Sequence, residues 1–442
     1  MTISIRWFAS WVLAAAVLTG SIGCNKSTPT IPNPKVADGK EPKTDLTTPK
    51  ETETPPKFEG PTSGKIKIFS SMPRTGSAKG QTDTIVNGIK LALDEVGYKI
   101  GGFTLEYQDL DDATAAAGSW DASREGANAK LAAQDDDVMV YIGTYNSGAA
   151  KVSMPDLNRA KIMMISPANT TPSLTKPGTG DKDEPARYRP TGEVTYFRVV
   201  PTDDIQGPVS AQWAKSMGVT SIYILDDTEL YGKSLANQVK AECQELKIKV
   251  LGHDSIDTKA QEFKALMQKI KALDPGLIYF GGTTQSKAGQ LAKDMVAAGL
   301  TCSIMVPDGC YENAFIESAG ADAVNGRSYV TFGGFPPTEL AKRSAKGQSF
   351  LDAYEKKYGK IPDEAYAVYG YECAKVAIEV IRRAGVKNRD AILWHTRRLK
   401  NYDGAMGNWS FDENGDTTLQ SMSGNKVEGG KFVFVKELIL AK

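Results

Sequence analysis

Apolar and polar positions alternate in blocks along most of the chain, and the period of each block predicts its element. KIKIFSSMP (65–73) is a strand-like run, and SAKGQTDTIVNGIKLALDEVG (77–97) after it carries apolar residues at helical spacing. The order recurs with FTLEYQDL (103–110) before an amphipathic segment near 115–135, and with VMVYIGT (138–144) before 149–159. AKIMMISP (160–167) follows, then TSIYILDD (220–227) before 232–246 and GLIYFGG (276–282) before 285–298. Strands that are apolar almost throughout, alternating with helices, belong in parallel sheets covered on both faces, so an α/β fold is expected. Residues 66–442 exceed the ~250–300 at which a single core stops growing, which predicts two domains. KPGTGDKDEPARYRPTG (176–192) breaks the pattern and reads as a polar loop.

Two N-terminal stretches stand outside the alternation. Arg6 precedes an apolar run, 7–24, that ends in Ser21-Ile22-Gly23-Cys24. It reads as an export signal (1–24) ending at a lipid-modifiable Cys24. A signal cleaved elsewhere is the alternative; a retained span is disfavoured because the run is short for a bilayer. Residues 25–65, with PTIPNPK and TTPKETETPPK, are too poor in large apolar groups to fold. They read as an extended tether or as a disordered terminus with no spacing role. No later segment has the length and apolarity of a membrane span.

Lys plus Arg and Asp plus Glu number 53 each, so the formal charge is zero and no basic field draws nucleic acid. A small neutral or zwitterionic ligand suits this balance better. The chain has five Cys and two His, a thin supply for metal chemistry, and neither a metal nor a cofactor is expected. Cys302 and Cys310 are close enough in sequence to bridge in an oxidising compartment, whereas Cys243 and Cys373 sit in helix-like segments as buried thiols. There is no G-x-S-x-G elbow, P-loop or H-E-x-x-H, and neither His253 nor His395 is placed beside a serine by a catalytic motif, so catalysis is not expected.

In an α/β layer a ligand site belongs at the carboxyl ends of the strands. Two loops there, 144–148 and 166–171, supply hydroxyls and small residues for ligand contact or, equally, for helix capping. Asp308, just after the strand SIMV, is positioned to pair with a ligand ammonium or to serve as a turn aspartate. Tyr231 covers a ligand or packs the start of its own helix. Arg74 and Asn146 lie in loops that meet a polar ligand group, and Arg187, Tyr188 and Arg189 stand on either a cleft rim or a plain surface loop.

Several segments in order, NGIKLALDEV, KIMMISPANTTPSLT, FRVVPTDDIQGP, ILDDTELYGKS, EFKALMQKIK, LIYFGGTTQSKAGQLAKDMVAAGL, IMVPDG and NWSFDENGD, resemble the leucine/isoleucine/valine-binding-protein group of type I periplasmic solute-binding proteins. The resemblance covers nearly all of 66–442. It implies two Rossmann-like lobes joined by three crossings around a hinge and cleft, with 66–202 and 336–395 in lobe one and 203–335 and 396–442 in lobe two. Carried over, Ser147 receives the ligand carboxylate, Thr170 contacts both ends of the zwitterion, and the Ala168 carbonyl accepts from the ammonium. Asp308 stands where the family commonly has a glutamate for the ammonium, and Tyr231 matches an aromatic cover. Gln81 and Thr283 fall where leucine binders place tyrosines; polar groups there disfavour an aliphatic side chain.

The function implied is the extracytoplasmic, lipid-anchored solute-binding component of an ABC importer for a neutral or polar amino acid. Its partners would be a permease and ATPase subunits, with the binding protein itself a monomer. A sensor or transport protein of the same fold for urea, amides or another small organic solute is the alternative.

Overall fold

The apolar blocks become strands because each is buried on both faces. β1 (Ser63–Met72), β2 (Lys99–Ile100), β3 (Gly102–Asp111), β4 (Val138–Gly143), β5 (Met163–Ser166) and β6 (Tyr196–Arg198) form one sheet in the order β2-β3-β1-β4-β5-β6. All pairs are parallel except the short β2–β3 hairpin. The second sheet contains β7 (Ser221–Asp226), β8 (Lys249–Ser255), β9 (Leu277–Gly281), β10 (Ser303–Val306) and β11 (Ser328–Gly333). After a separate hairpin of β12 (Tyr402–Gly404) and β13 (Gly407–Trp409), β14 (Met422–Glu428) and β15 (Lys431–Leu438) complete that sheet, in the order β15-β14-β11-β10-β9-β7-β8. In both sheets the strand order reverses beside the first strand of the lobe, between β1 and β4 and between β7 and β9, where open α/β sheets form their crevice. The parallel sheets are what the alternation of strands and helices predicts, and the two lobes are what chain length and the family resemblance imply.

The computed structural model describes residues 54–441. Cys24, the signal reading of 1–24 and the tether reading of 25–53 lie outside them. The stretch expected to remain a tether as far as 65 ends earlier: the Pro61 carbonyl accepts from the Lys387 amide at 2.7 Å, and Ser63–Lys65 already pair with Gly102–Thr104. Among the described residues no helix is long and apolar enough to cross a membrane.

The chain leaves the first sheet after β6, returns after β11, and crosses again before β14. On its return, helix Ala367–Ala384 packs along helix Lys79–Glu95. The approach is close enough that a Cβ on Gly88 would lie 2.1 Å from the Ala367 carbonyl oxygen, so only glycine permits this crossing. Residues 396–416, expected in lobe two, belong with lobe one instead. The Trp409 indole donates to Glu372 on helix Ala367–Ala384 at 2.7 Å, and Asp416 bridges Arg198 at the end of β6. The physical reason is the burial of Trp409 on Phe411 and of Phe411 on Phe197, which no charge or period in the segment announces. The amphipathic segment near 115–135 forms a helix only over Ala122–Gln134, with Asp121 as its N-cap; 113–121 is a loop closed by pairing of Ala113 with Trp120.

Candidate functional site

The loops that leave β4, β5, β7, β9 and β10 at their carboxyl ends converge between the lobes. They line an outer cleft of about 750 Å3 and, beneath it, an inner pocket of about 20 Å3. Lobe one contributes Tyr145, Asn146, Ser147 and Ala168 to the inner pocket; Tyr231, Thr283, Asp308 and Gly309 face them from lobe two, and Tyr366 enters with the returning chain. Ser147, Ala168, Tyr231, Thr283 and Asp308, five of the positions singled out from the sequence, therefore line one pocket from its two sides.

Ser147 is the first residue of helix Ser147–Arg159, whose N-cap Asn146 is extended and makes no side-chain cap. The first amides of a helix lack intrahelical acceptors and stand at the positive end of its dipole, so this corner suits a carboxylate. Gly148 follows, so close to the Trp120 ring that a Cβ would come within 2.6 Å of it. Trp120 forms the lip of the outer cleft and lies beside Glu229 of the opposite lobe.

The opposite corner is acidic. One oxygen of Asp308 accepts from the Tyr231 hydroxyl at 2.6 Å and the other from the Tyr366 hydroxyl. Burial pushes the Asp308 carboxyl up, and burial together with the nearby Asp308 charge pushes both phenols far above their ordinary range, so they remain donors. Asp203, which begins helix Asp203–Ser216, is fully buried. Burial, and then the charge of Asp308, hold it well above the usual carboxylate range. The Thr170 hydroxyl is buried beside the Asp203 carboxyl, and the Thr170 carbonyl accepts from the Asp203 amide at 2.9 Å. A cation between the two acids relieves both, because it supplies the charge and donors that this corner lacks.

Behind this corner Arg198 is fully buried. It donates to Asp416 at 2.7 Å, to the carbonyls of Asn169 at 3.2 Å and Thr171 at 2.8 Å, and to the Thr175 hydroxyl. The guanidinium thus fixes the loop on either side of Thr170.

Gln81 does not line the inner pocket. Its carbonyl oxygen accepts from the Tyr145 hydroxyl, and its amide donates across the cleft to the Tyr311 carbonyl at 3.2 Å, so it ties the lobes together. Arg74 is held beside the cleft by Asp109 and Asp83 at 3.1 and 2.6 Å. The 176–192 loop lines neither cavity. Glu184 and Tyr188 pack on helix Ser147–Arg159 through Lys151, Arg187 faces Asp181 and Asp183, and Arg189 donates to the Asn414 carbonyl at 2.8 Å. Cys243, Cys302, Cys310 and Cys373 are free thiols, so the Cys302–Cys310 bridge is not formed.

Tyr366, which lines the inner pocket, and Asp203, which lies beside Asp308, were not singled out from the sequence, and Tyr145 entered only as part of the 144–148 loop. Asp203 lies in FRVVPTDDIQGP, where an acid at a helix start reads as a favourable first-turn charge. Tyr366 lies in DEAYAVYGYE, where apolar spacing reads as core. His253 is 2.8 Å from Asp226, and Ser255 donates to that same carboxylate oxygen, so no serine is activated by this histidine.

Residues 65–431 match the family model described as periplasmic binding protein. A Leu/Ile/Val-binding protein of Rhizobium johnstonii is 28% identical over 370 residues, 83% of this chain and 93% of that one. A leucine-, isoleucine-, valine-, threonine- and alanine-binding protein of Pseudomonas aeruginosa is 25% identical over 354 residues, 79% and 87% of the two chains. The crystal structure of a leucine-binding protein from Thermotoga maritima superposes with a TM-score of 0.74 at 26% identity, covering 84% of this chain and 98% of that one. With its two parallel-sheet lobes and its polar cleft, this chain belongs to the periplasmic binding protein family, a family of solute receptors and not of catalysts.

Proposed function

We propose that this protein is the extracytoplasmic solute-binding component of an ABC importer and captures a neutral or polar α-amino acid between its lobes. The ligand carboxylate is received by the hydroxyl and amide of Ser147 and by Thr170. The ammonium sits between Asp308 and Asp203, with the Ala168 carbonyl as a further acceptor, and Tyr231 and Thr283 cover it from lobe two. The observation that carries this reading is the pair of buried acids, Asp203 and Asp308, beside a pocket whose lining includes no Lys, Arg or His. Closure around the ligand excludes water and strengthens each charge-assisted bond, with no covalent step; uptake is driven by the importer's ATPase subunits. Cys24 is read as the lipid anchor that holds a monomeric receptor at the membrane beside its permease.

The same fold serves other solutes: a Rhodopseudomonas palustris protein, 18% identical with a TM-score of 0.70, was crystallised with benzoate. An anionic aromatic solute leaves Asp203 and Asp308 unpaired here, which favours a ligand with an ammonium. The test is calorimetric titration of the full-length chain, unfolded and refolded to strip carried-over solute, against the protein amino acids, urea and short amides. Saturable binding of α-amino acids is expected, and binding confined to solutes without an α-ammonium would overturn the reading.

A further inference from the structure

Three side-chain bonds run from lobe one to a single short segment of lobe two, 308–313, which follows β10. The Tyr366 hydroxyl donates to Asp308, the Gln81 amide donates to the Tyr311 carbonyl at 3.2 Å, and the Glu364 carboxyl accepts from the Asn313 amide at 3.0 Å. Tyr366 and Asp308 line the inner pocket, whereas Gln81, Glu364, Tyr311 and Asn313 line neither it nor the outer cleft. The last two bonds therefore join the lobes without offering a group to a ligand.

Both sides of this seam are held firmly. Gln81 is buried in the first turn of helix Lys79–Glu95, and Glu364 stands just ahead of helix Ala367–Ala384. Those helices touch at Gly88 and Ala367, so the two arms move as one body. The Tyr145 hydroxyl occupies the Gln81 carbonyl oxygen and so turns the Gln81 amide toward Tyr311. Across the seam, the Tyr311 ring stacks on Phe332 and Phe432 with centroids 5.1 and 4.4 Å away, which ties the segment to the second sheet. Asn313 begins helix Asn313–Ala319, whose first amide has no acceptor within its own helix until Glu364 supplies one.

Bonds between lobes form as a cleft shuts and must break before it reopens, so they slow release without speeding encounter. We propose that Gln81 and Glu364 are positioning residues that latch lobe one onto segment 308–313 and set how long a ligand is held, whatever its side chain. The inference rests on the reading that the cleft closes around an α-amino acid. Asp308, which faces the ammonium in that reading, opens the same segment, so ligand contact and latch are drawn together.

The test follows release of alanine, serine and glutamine from the full-length chain by stopped-flow tryptophan fluorescence, in the wild type and in Gln81→Leu, Glu364→Ala and Glu364→Gln. Losing one such bond is expected to speed release of each probe by at least roughly threefold in Gln81→Leu and in Glu364→Ala, with association rates unchanged. Burial pushes the Glu364 carboxyl up to about 8, so near neutral pH glutamine is a close substitute for it as an acceptor, and Glu364→Gln should release its ligand as the wild type does. Unchanged release in Gln81→Leu and Glu364→Ala overturns the inference alone, even where the ligand-free thermal midpoint falls. So does acceleration confined to one probe, which would mark a ligand contact, or slower association with normal release. Wild-type protein that binds none of the three probes in titration overturns the functional reading and this inference with it.

Discussion

The buried guanidinium of Arg198 lies 2.7 Å from the carboxylate of Asp416, joining the end of the first sheet to the chain's last crossing between the lobes. Removing one partner of a buried pair leaves an uncompensated charge, which costs about 3–5 kcal/mol. Asp416→Asn is therefore expected to lower the urea unfolding free energy by roughly that amount. It should also weaken ligand binding, because Arg198 holds the carbonyls that flank Thr170. A loss under about 1 kcal/mol would show that the pair does not anchor the crossing.

Asp203 and Thr170 predict an exchange of stability for binding. Buried beside Asp308 and with only the Thr170 hydroxyl for relief, the Asp203 carboxyl is an unfavourable group in the unliganded fold. Asp203→Asn is expected to leave the thermal midpoint unchanged or raised by a few degrees. Affinity for α-amino acids should fall roughly 30-fold or more, as when one member of a buried charged contact is removed. A variant that melts earlier and binds normally would assign Asp203 a structural role.

The pH dependence follows from carboxyls that the fold holds protonated. Burial pushes Glu125, Asp227 and Glu372 up to about 7, and Glu312 and Glu364 up to about 8. The folded state keeps these protons while the unfolded chain releases them near pH 4. Their contribution is thus full below about pH 4 and is lost progressively as pH rises toward 8. Glu184 works in the opposite direction: against its own burial, the Lys151 hydrogen bond holds it at about 2, so its contribution is present above about pH 4.5 and lost in acid. Differential scanning calorimetry of ligand-free protein should find maximal stability near pH 5 and a falling midpoint from there to pH 8. The fall should be shallower in Glu312→Gln; a midpoint that rises over this range contradicts the assignment.

Trp120 and Gly148 give a prediction for the cleft mouth. A methyl group on Gly148 collides with the indole at 2.6 Å, so Gly148→Ala must displace the lip or the start of the helix that carries Ser147. The expected result is a loss of about 1–3 kcal/mol in stability, typical of overpacking. Ligand release should also accelerate in stopped-flow fluorescence. Trp120→Ala relieves the clash, so the double variant should recover the stability lost through Gly148→Ala while still releasing ligand faster than the wild type.

The strands of both sheet centres were readable because VMVYIGT, AKIMMISP, TSIYILDD and GLIYFGG are apolar on both faces. The short β2 and β6, and the return of 396–416 to lobe one, were not readable. Trp409 and Asp416 find their partners in Glu372 and Arg198, which are distant in sequence, and nothing local in 408–416 names those partners. At the site, Ser147, Ala168, Tyr231, Thr283 and Asp308 follow strand ends and could be named from that position and from the family resemblance. Gln81 was assigned to the ligand's side-chain pocket, yet its bond to the Tyr311 carbonyl depends on how the lobes meet.

By itself the sequence determined the α/β class, the carboxyl-end loops that line the pocket and the absence of a catalytic motif, because these follow from local period and from residue type. Only the tertiary structure decided that Asp203 joins Asp308 and that Tyr366 closes the pocket. Burial and electrostatic coupling are properties of the packed neighbourhood, and these neighbours come together only when segments distant in sequence pack.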